Sequence, residues 1–321
     1  MIVIGILCSK DIEEEYTKRM HLWFNEFSAE QKEPIVIFPI NNIDLKAKTV
    51  TGNLITEKEV KVVDSSFPSV IFNFSLQKDD AGIKTRKVLE EMEQVELVNY
   101  INKFDQWMVM DMLSSFSSTR SHLLPYHIYD KAERNYKPED EQKYIIMPSR
   151  GASLSRVIYA VPDPKSDRVN GSQYFKKGHI CDYIDASLCQ QRWLFVEIPE
   201  IQVRNNHPVV IRVYLQKLRQ DKWFVLGKDI FLEAEEKLTD IFEEVDKTAL
   251  NAIFHINKFL PSMGHCFIDF ILDSNNKPYF LHIGGLDQFF FRQNRSQEFC
   301  KNFCRNILKL SRYYKDKQGG V

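Results

Sequence analysis

The chain contains no apolar stretch approaching the roughly 20 residues that span a bilayer, no paired Cys-x-x-Cys, no excess of either charge, no internal repeat and no low-complexity segment. Each absence removes a class of protein. Without a long apolar run, no membrane span is predicted. The six cysteines (Cys8, Cys181, Cys189, Cys266, Cys300, Cys304) are scattered, which excludes a zinc ribbon and reads as reduced thiols of a cytoplasmic protein. Cys300 and Cys304 stand one helical turn apart, but no second pair accompanies them. Lys plus Arg at 43 against Asp plus Glu at 44 leaves a net charge of −1, so no global field favours nucleic acid, and partner choice must be local. The opening run Met1–Leu7 is followed by Lys10, Asp11 and three glutamates, with neither a basic leader nor a cleavage site. It reads as a buried first strand.

What is present is an ordinary core-forming composition: 321 residues, 44% hydrophobic and 12% aromatic, enough for two or three subdomains. Strand and helix patterns alternate over the first third. Ile2–Leu7, Pro34–Pro39, Ser69–Asn73 and Val95–Val98 read as strands, and Ile12–Phe27, Asp79–Met92 and Lys103–Ser114 as helices, the order of an α/β layer with a mostly parallel sheet. Beyond residue 120 the texture changes. Strands are predicted at Lys143–Met147, Arg156–Val161, Trp193–Ile198, Val209–Lys217 and Lys222–Asp229, and the polar, Pro- and Gly-bearing Pro162–Lys177 reads as an exposed connection. A long helix over Ala234–Phe259 and a last one over Gln288–Tyr314 complete the pattern. The fold class is therefore α/β and α+β, divided as an N-terminal α/β domain (1–120) and a second, two-part domain (121–321).

Between the last two helices, Gly264–Gly285 has apolar alternation around Asp269, an Asn275-Asn276 turn and a second apolar run ending at His282. That is a β-hairpin pattern. Two acidic or amide oxygens facing each other on such a hairpin would hold magnesium, a small hard cation that takes oxygen ligands. Asp269 is one such oxygen donor, and the opposing positions are His282 and Gly284. His265 and Cys266 lie on opposite faces of the same strand, so at most one of them can meet His282.

The order of these motifs resembles the YheC/YheD family of ATP-grasp proteins, the endospore-coat-associated proteins of spore-forming bacteria. The resemblance rests on Gly5 in the opening strand, Phe38–Asp44 with Thr51-Gly52, Val70–Asn73, Val98-Asn99, Asp105-Gln-Trp107, Leu124-Pro125, Ile145–Ser153, Phe195–Pro199, Val210–Lys217 and the closing hairpin. It implies an ATP-grasp-like fold for 121–321. It also implies cleft positions at Gln106, Met147, Arg150, Gly151, Ser153 and Glu197, a catalytic relic at Arg212 and a metal relic at Asp269 with His282.

The departures fall on one physical task. Where the family has phosphate-gripping lysines this chain has Gln106 and Met147, and each lost charge-assisted bond removes about 1.5–3 kcal/mol. Gly151 is the remaining glycine of the phosphate loop, Val210 replaces the acid of the Asp-x-Arg motif, and the hairpin Glu and Asn are His282 and Gly284. Magnesium and lysines neutralise the triphosphate in this reaction class, and both are depleted together.

Two readings of function follow. One is a non-catalytic, pseudo-ATP-grasp binding or scaffold protein of the spore coat, with no cofactor expected. The other is an ATP-dependent carboxylate–amine ligase using ATP and Mg at an atypical site. Two further features bear on partners. Phe289-Phe-Phe291 is either a buried hinge or an exposed apolar patch. Residues Arg292 to Lys317 carry eight Lys or Arg against two acids, a local +6, which suggests a basic C-terminal helix either solvated or docking a protein partner.

Overall fold

The computed structural model describes residues 4–25, 33–56, 58–76, 79–139, 142–151, 157–161, 167–169, 173–175, 180–187, 192–204, 207–231, 239–286 and 295–319. The N-terminal sheet is built from β1 (Ile4–Cys8), β2 (Ile35–Pro39), β3 (Ile43–Asp44), β4 (Thr49–Ile55), β5 (Val60–Ser66), β6 (Val70–Asn73) and β7 (Glu96–Val98). β1, β2 and β6 are buried along their whole length, as strands covered on both faces must be. β1 runs parallel to β2 and β6, and β6 to β7. Helix α1 (Glu13–Asn25) covers one face through Tyr16 and Met20, and α2 (Asp80–Glu90) the other through Leu89. α2 starts where Asp79 accepts the Gly82 amide at 2.7 Å, a side-chain N-cap.

The antiparallel hairpin β4–β5 beside β2 was not legible in the sequence. Its outer strand, Val-Lys-Val-Val-Asp-Ser-Ser, is largely exposed and lacks the apolar alternation that marks a half-buried strand. After β7, α3 (Gln106–Ser114) begins at Asp105, whose carboxylate accepts the Met108 amide, and the short α4 (Ser117–Arg120) follows.

The second sheet holds β8 (Tyr126–Asp130), β9 (Tyr144–Pro148), β10 (Ile158–Val161), β11 (Asp167–Val169), β12 (Gln173–Phe175) and β13 (Arg192–Glu197), in the order β12-β11-β10-β9-β13-β8. All its pairings are antiparallel. Helix α5 (Ile180–Ser187) packs Ile180 and Ile184 against Tyr144, Ile146, Trp193 and Phe195. Within the expected connection Pro162–Lys177 the described residues form two short strands, β11 and β12, which the sequence reading did not have, and the rest of the span lies outside the described residues. The polar residues and three-residue lengths of the two strands carry no periodic signal.

A two-stranded ribbon, β14 (Val203–Arg204) and β15 (His207–Pro208), precedes the third sheet. That sheet comprises β16 (Val210–Arg219), β17 (Lys222–Phe231), β18 (His265–Leu272) and β19 (Pro278–Gly284), ordered β17-β16-β18-β19. Alternation along β16 sends Ile211, Val213 and Leu215 into a cluster with Val245, Ala249, Ala252, Ile253 and Ile256 of α6 (Thr239–Phe259). On the opposite face, Tyr214 and Phe267 join Phe299, Phe303, Ile307, Leu310 and Tyr314 of α7 (Gln297–Gly319), an apolar stripe at helical spacing. The first turns expected for both helices, 234–238 and 288–294, lie outside the described residues, as does Phe289–Phe291. No helix among the described residues is long and apolar enough to cross a membrane.

Candidate functional site

The hairpin carboxylate is closed by its own sheet. Register places Asp229, Arg212, Asp269 and His282 directly opposite one another across β17, β16, β18 and β19. Directly paired residues point to the same face. Arg212 donates from Nε to Asp269 Oδ1 at 2.7 Å and from Nη2 to Oδ2 at 2.8 Å. His282 Nδ1 stands 2.9 Å from Oδ2, with both side chains fully buried. Burial alone would push the Asp269 carboxyl up, but the charges of His282 and Arg212 and their hydrogen bonds hold it below the ordinary carboxylate range. Arg212 is depressed by burial and raised by Asp269, with a net upward shift. Both oxygens of Asp269 are therefore committed to cationic or hydrogen-bonding neighbours before any metal is considered.

The space beside this pair is filled by an aromatic ring. A Cβ at Gly284 would come within 2.4 Å of Phe267 Cζ and 2.6 Å of Cε1, far inside any real contact. The Arg212 guanidinium sits 3.8 Å from the Phe267 ring centroid, a cation–π contact, and His282 meets the same ring edge-on at 5.3 Å. Gly284 and Phe267 thus act as one unit: the missing side chain on β19 is the room the ring occupies. A magnesium ion at this place would have to displace Arg212 from Asp269 and find a second oxygen donor at a residue that has no side chain. Among the described residues no three His, Cys, Asp or Glu side chains assemble as a metal site needs.

The positions matched to phosphate-binding lysines serve the interior. Gln106, fully buried, accepts the Ile283 amide at 3.0 Å and donates to the Ile283 carbonyl at 2.9 Å. Its two-pronged bond closes the outer edge of β19, whose unpaired backbone groups would otherwise be orphaned. Met147 is fully buried in the apolar cluster containing Ile145, Leu194 and Val196. Glu197 lies on the other face of that sheet by alternation, where its Oε1 bonds His127 Nε2 at 2.7 Å, so it does not meet Met147. Arg150 is exposed and its Nε stands 3.5 Å from Asp105 Oδ2. Gly151, at φ +60°, donates its amide to Phe104 O, a backbone conformation that favours glycine. Ser153 lies outside the described residues, as does Cys189.

Arg295 carried no sequence signal, and Asn99 and Asn73 entered only as parts of motifs. Arg295 is 7% exposed and grips Asp229 through Nη1 at 2.7 and 2.9 Å, while its Nη2 reaches the Tyr214 hydroxyl at 2.7 Å. Tyr214 in turn donates to Asp229 Oδ2. Behind the hairpin, Asn99 at φ +60° accepts the amides of Gly264 and His265 and donates to the His265 carbonyl. Asn73 and Asn102 extend this buried amide network to the N-terminal sheet. The His265 ring stacks on Phe74 at 4.1 Å, and Cys266 points into the α6 cluster. Neither meets His282. Cys300 and Cys304 are both buried in α7.

No family model matches the chain, and no curated protein matches it in sequence. Solved structures do resemble it over nearly their whole length. The VanG D-Ala:D-Ser ligase of Enterococcus faecalis superposes with a TM-score of 0.57 at 11% identity, covering 98% of this chain and 99% of that one. The ATP-grasp ligase PsnB, solved with its minimal precursor, gives 0.55 at 13% identity over 96% and 98%. The D-alanine–D-alanine ligase of Bacillus anthracis gives 0.54 at 10% over 99% and 100%. Likeness at such identities speaks for architecture alone. The chain has the ATP-grasp fold.

Proposed function

We propose that this protein is a non-catalytic ATP-grasp-fold protein that acts by binding a partner. The observation that carries the reading is the closed Arg212–Asp269–His282 row with Phe267 seated over Gly284. Gln106 and Met147 support it, because both positions matched to phosphate-gripping lysines are spent on the interior. Magnesium and ATP are accordingly not part of its working form, and Arg212 is an ion-pair partner of Asp269 rather than a group free to stabilise an acyl-phosphate. The motif order of the sequence supports a place among endospore-coat-associated proteins, made in the cytoplasm of the mother cell. The domain division at residue 120 belongs to the same reading.

A second reading, an ATP-dependent carboxylate–amine ligase, is favoured by the near-complete coverage of ligases on both sides of the superpositions. Isothermal titration with Mg-ATP separates the two. Absence of binding at millimolar nucleotide is the expected result, and submicromolar, magnesium-dependent binding would overturn the non-catalytic reading.

A further inference from the structure

Helix α7 is buried on most of its circumference, and between its exposed acids Glu298 and Asp316 the exposed positions, Arg305, Lys309 and Lys315, are all cations. Lys301, Arg305 and Lys309 recur every fourth residue, with Arg305 and Lys309 exposed and Lys301 half-exposed. The intervening Phe303, Cys304, Ile307, Leu308 and Leu310 are buried. Three cations on α1 and α2 are matched by acids one turn away: Lys18 with Glu14, Arg19 with Glu15, Arg86 with Glu90. On α7 the residue one turn before each of Arg305 and Lys309 is another cation. Like charges at that spacing destabilise a helix, so the arrangement works against the fold that contains it. Among the described residues Lys301, Arg305 and Lys309 form no ion pair. Arg305 donates to the Asn302 side-chain oxygen at 3.1 Å. Arg312, next along the line, is different: its Nε bonds Glu33 at 3.0 Å, which ties α7 to the chain entering β2 and removes it from the free set.

We infer that the Lys301–Arg305–Lys309 line docks an acidic protein segment, a helix presenting carboxylates at the same four-residue repeat. The proposal rests on the binding-protein reading above and adds the chemistry of the partner. A straight row about 12 Å long, at 1.5 Å rise per residue, matches a second helix laid alongside. On the helix itself its neighbours Asn302 and Tyr313 are uncharged and half-buried, and Asn306 and Leu308 are buried, which favours a helix over a lipid surface or a nucleic-acid duplex.

The test uses the full chain and a helical probe peptide bearing Glu at i, i+4 and i+8, with a Gln-substituted peptide as control. Fluorescence anisotropy at low salt is expected to show micromolar binding of the Glu peptide. That affinity should fall at least tenfold in the variant Lys301→Gln, Arg305→Gln, Lys309→Gln, and fall again at 0.3 M salt, while the Gln peptide does not bind. Thermal melting of the variant is expected at or above the wild-type temperature, because like-charge repulsion has been removed. Equal affinity of variant and wild type, or no binding of the Glu peptide to wild type, overturns the proposal. So does tighter, line-dependent binding to phosphatidylserine vesicles or duplex DNA than to the peptide. Titration of the same preparation with Mg-ATP keeps the two ideas separable: nucleotide binding would remove the non-catalytic reading and leave the peptide result standing, and the reverse also holds.

Discussion

Phe267 stands where any side chain at Gly284 would have to go, its ring 2.4 Å from the place of a Cβ. The two residues face each other in register across β18 and β19. The loss of a ligand-bearing side chain on β19 and the presence of a large ring on β18 are therefore one packing solution, with Arg212 lying over the ring.

Gly284→Asn should destabilise the protein by about 1–3 kcal/mol, the usual cost of overpacking a filled site. Adding Phe267→Ala should recover part of that loss, because the clash and the cavity share the same space. Urea unfolding of the two single variants and the double decides the matter, and simple additivity would contradict the pairing. For the same reason, the combined reversal Met147→Lys, Gln106→Lys, His282→Glu, Gly284→Asn is expected to remain silent toward Mg-ATP in calorimetry while Phe267 is in place.

Breaking the buried pair from one side should be far worse than removing it whole. Asp269→Asn or Arg212→Met each leaves a charge without its partner, at a cost of about 3–5 kcal/mol. The double replacement Arg212→Met, Asp269→Leu should cost clearly less than the sum. Because the carboxyl is held below its ordinary range, its contribution is complete above the unfolded carboxylate pKa near 4 and is lost as pH falls through the lower folded value. A double-mutant cycle measured at pH 7 and again at pH 3 should show the coupling shrink in acid.

His265 gives the molecule a second acid sensitivity at milder pH. Complete burial pushes its pKa down to about 3, so the folded protein keeps the ring neutral while the unfolded chain protonates near 6.5. Its stabilising contribution is whole above that value and is lost as pH falls from 6.5 toward 3, by at most about 1.4 kcal/mol per pH unit. His265→Leu keeps the strand and an apolar partner for Phe74. The slope of unfolding free energy between pH 6.5 and 4 should be visibly flatter in this variant, and an unchanged slope would rule the histidine out as its source.

Lys217 extends the same trend, stability rising with pH, to the alkaline side. Its ammonium is buried between Asn257 Oδ1 at 2.9 Å and the Pro261 carbonyl at 2.7 Å. Burial lowers its pKa to about 8 against a partial pull upward from Asp221 and Glu96. Between pH 8 and about 10 the unfolded chain holds the proton that the folded chain has released, so stability should rise with pH across that window. Lys217→Met should abolish the rise in denaturant midpoints taken at pH 8, 9 and 10.

Local pattern alone determined much of this protein. Short apolar runs and four-residue periodicity marked most strands and helices, since burial repeats every second residue in a strand and nearly every fourth in a helix. The hairpin around Asp269 and its depleted ligand positions were readable because every residue involved lies within about one turn and two strands. Tertiary structure alone decided what those positions became. Arg212 and Asp269 are 57 residues apart, Gln106 and Ile283 177 apart, and Arg312 and Glu33 279 apart. No periodic signal reaches across such separations. Whether an isolated arginine, glutamine or basic helix residue is free or committed depends on strand register and on which side chain is brought opposite it, and that is fixed only when distant segments pair and pack.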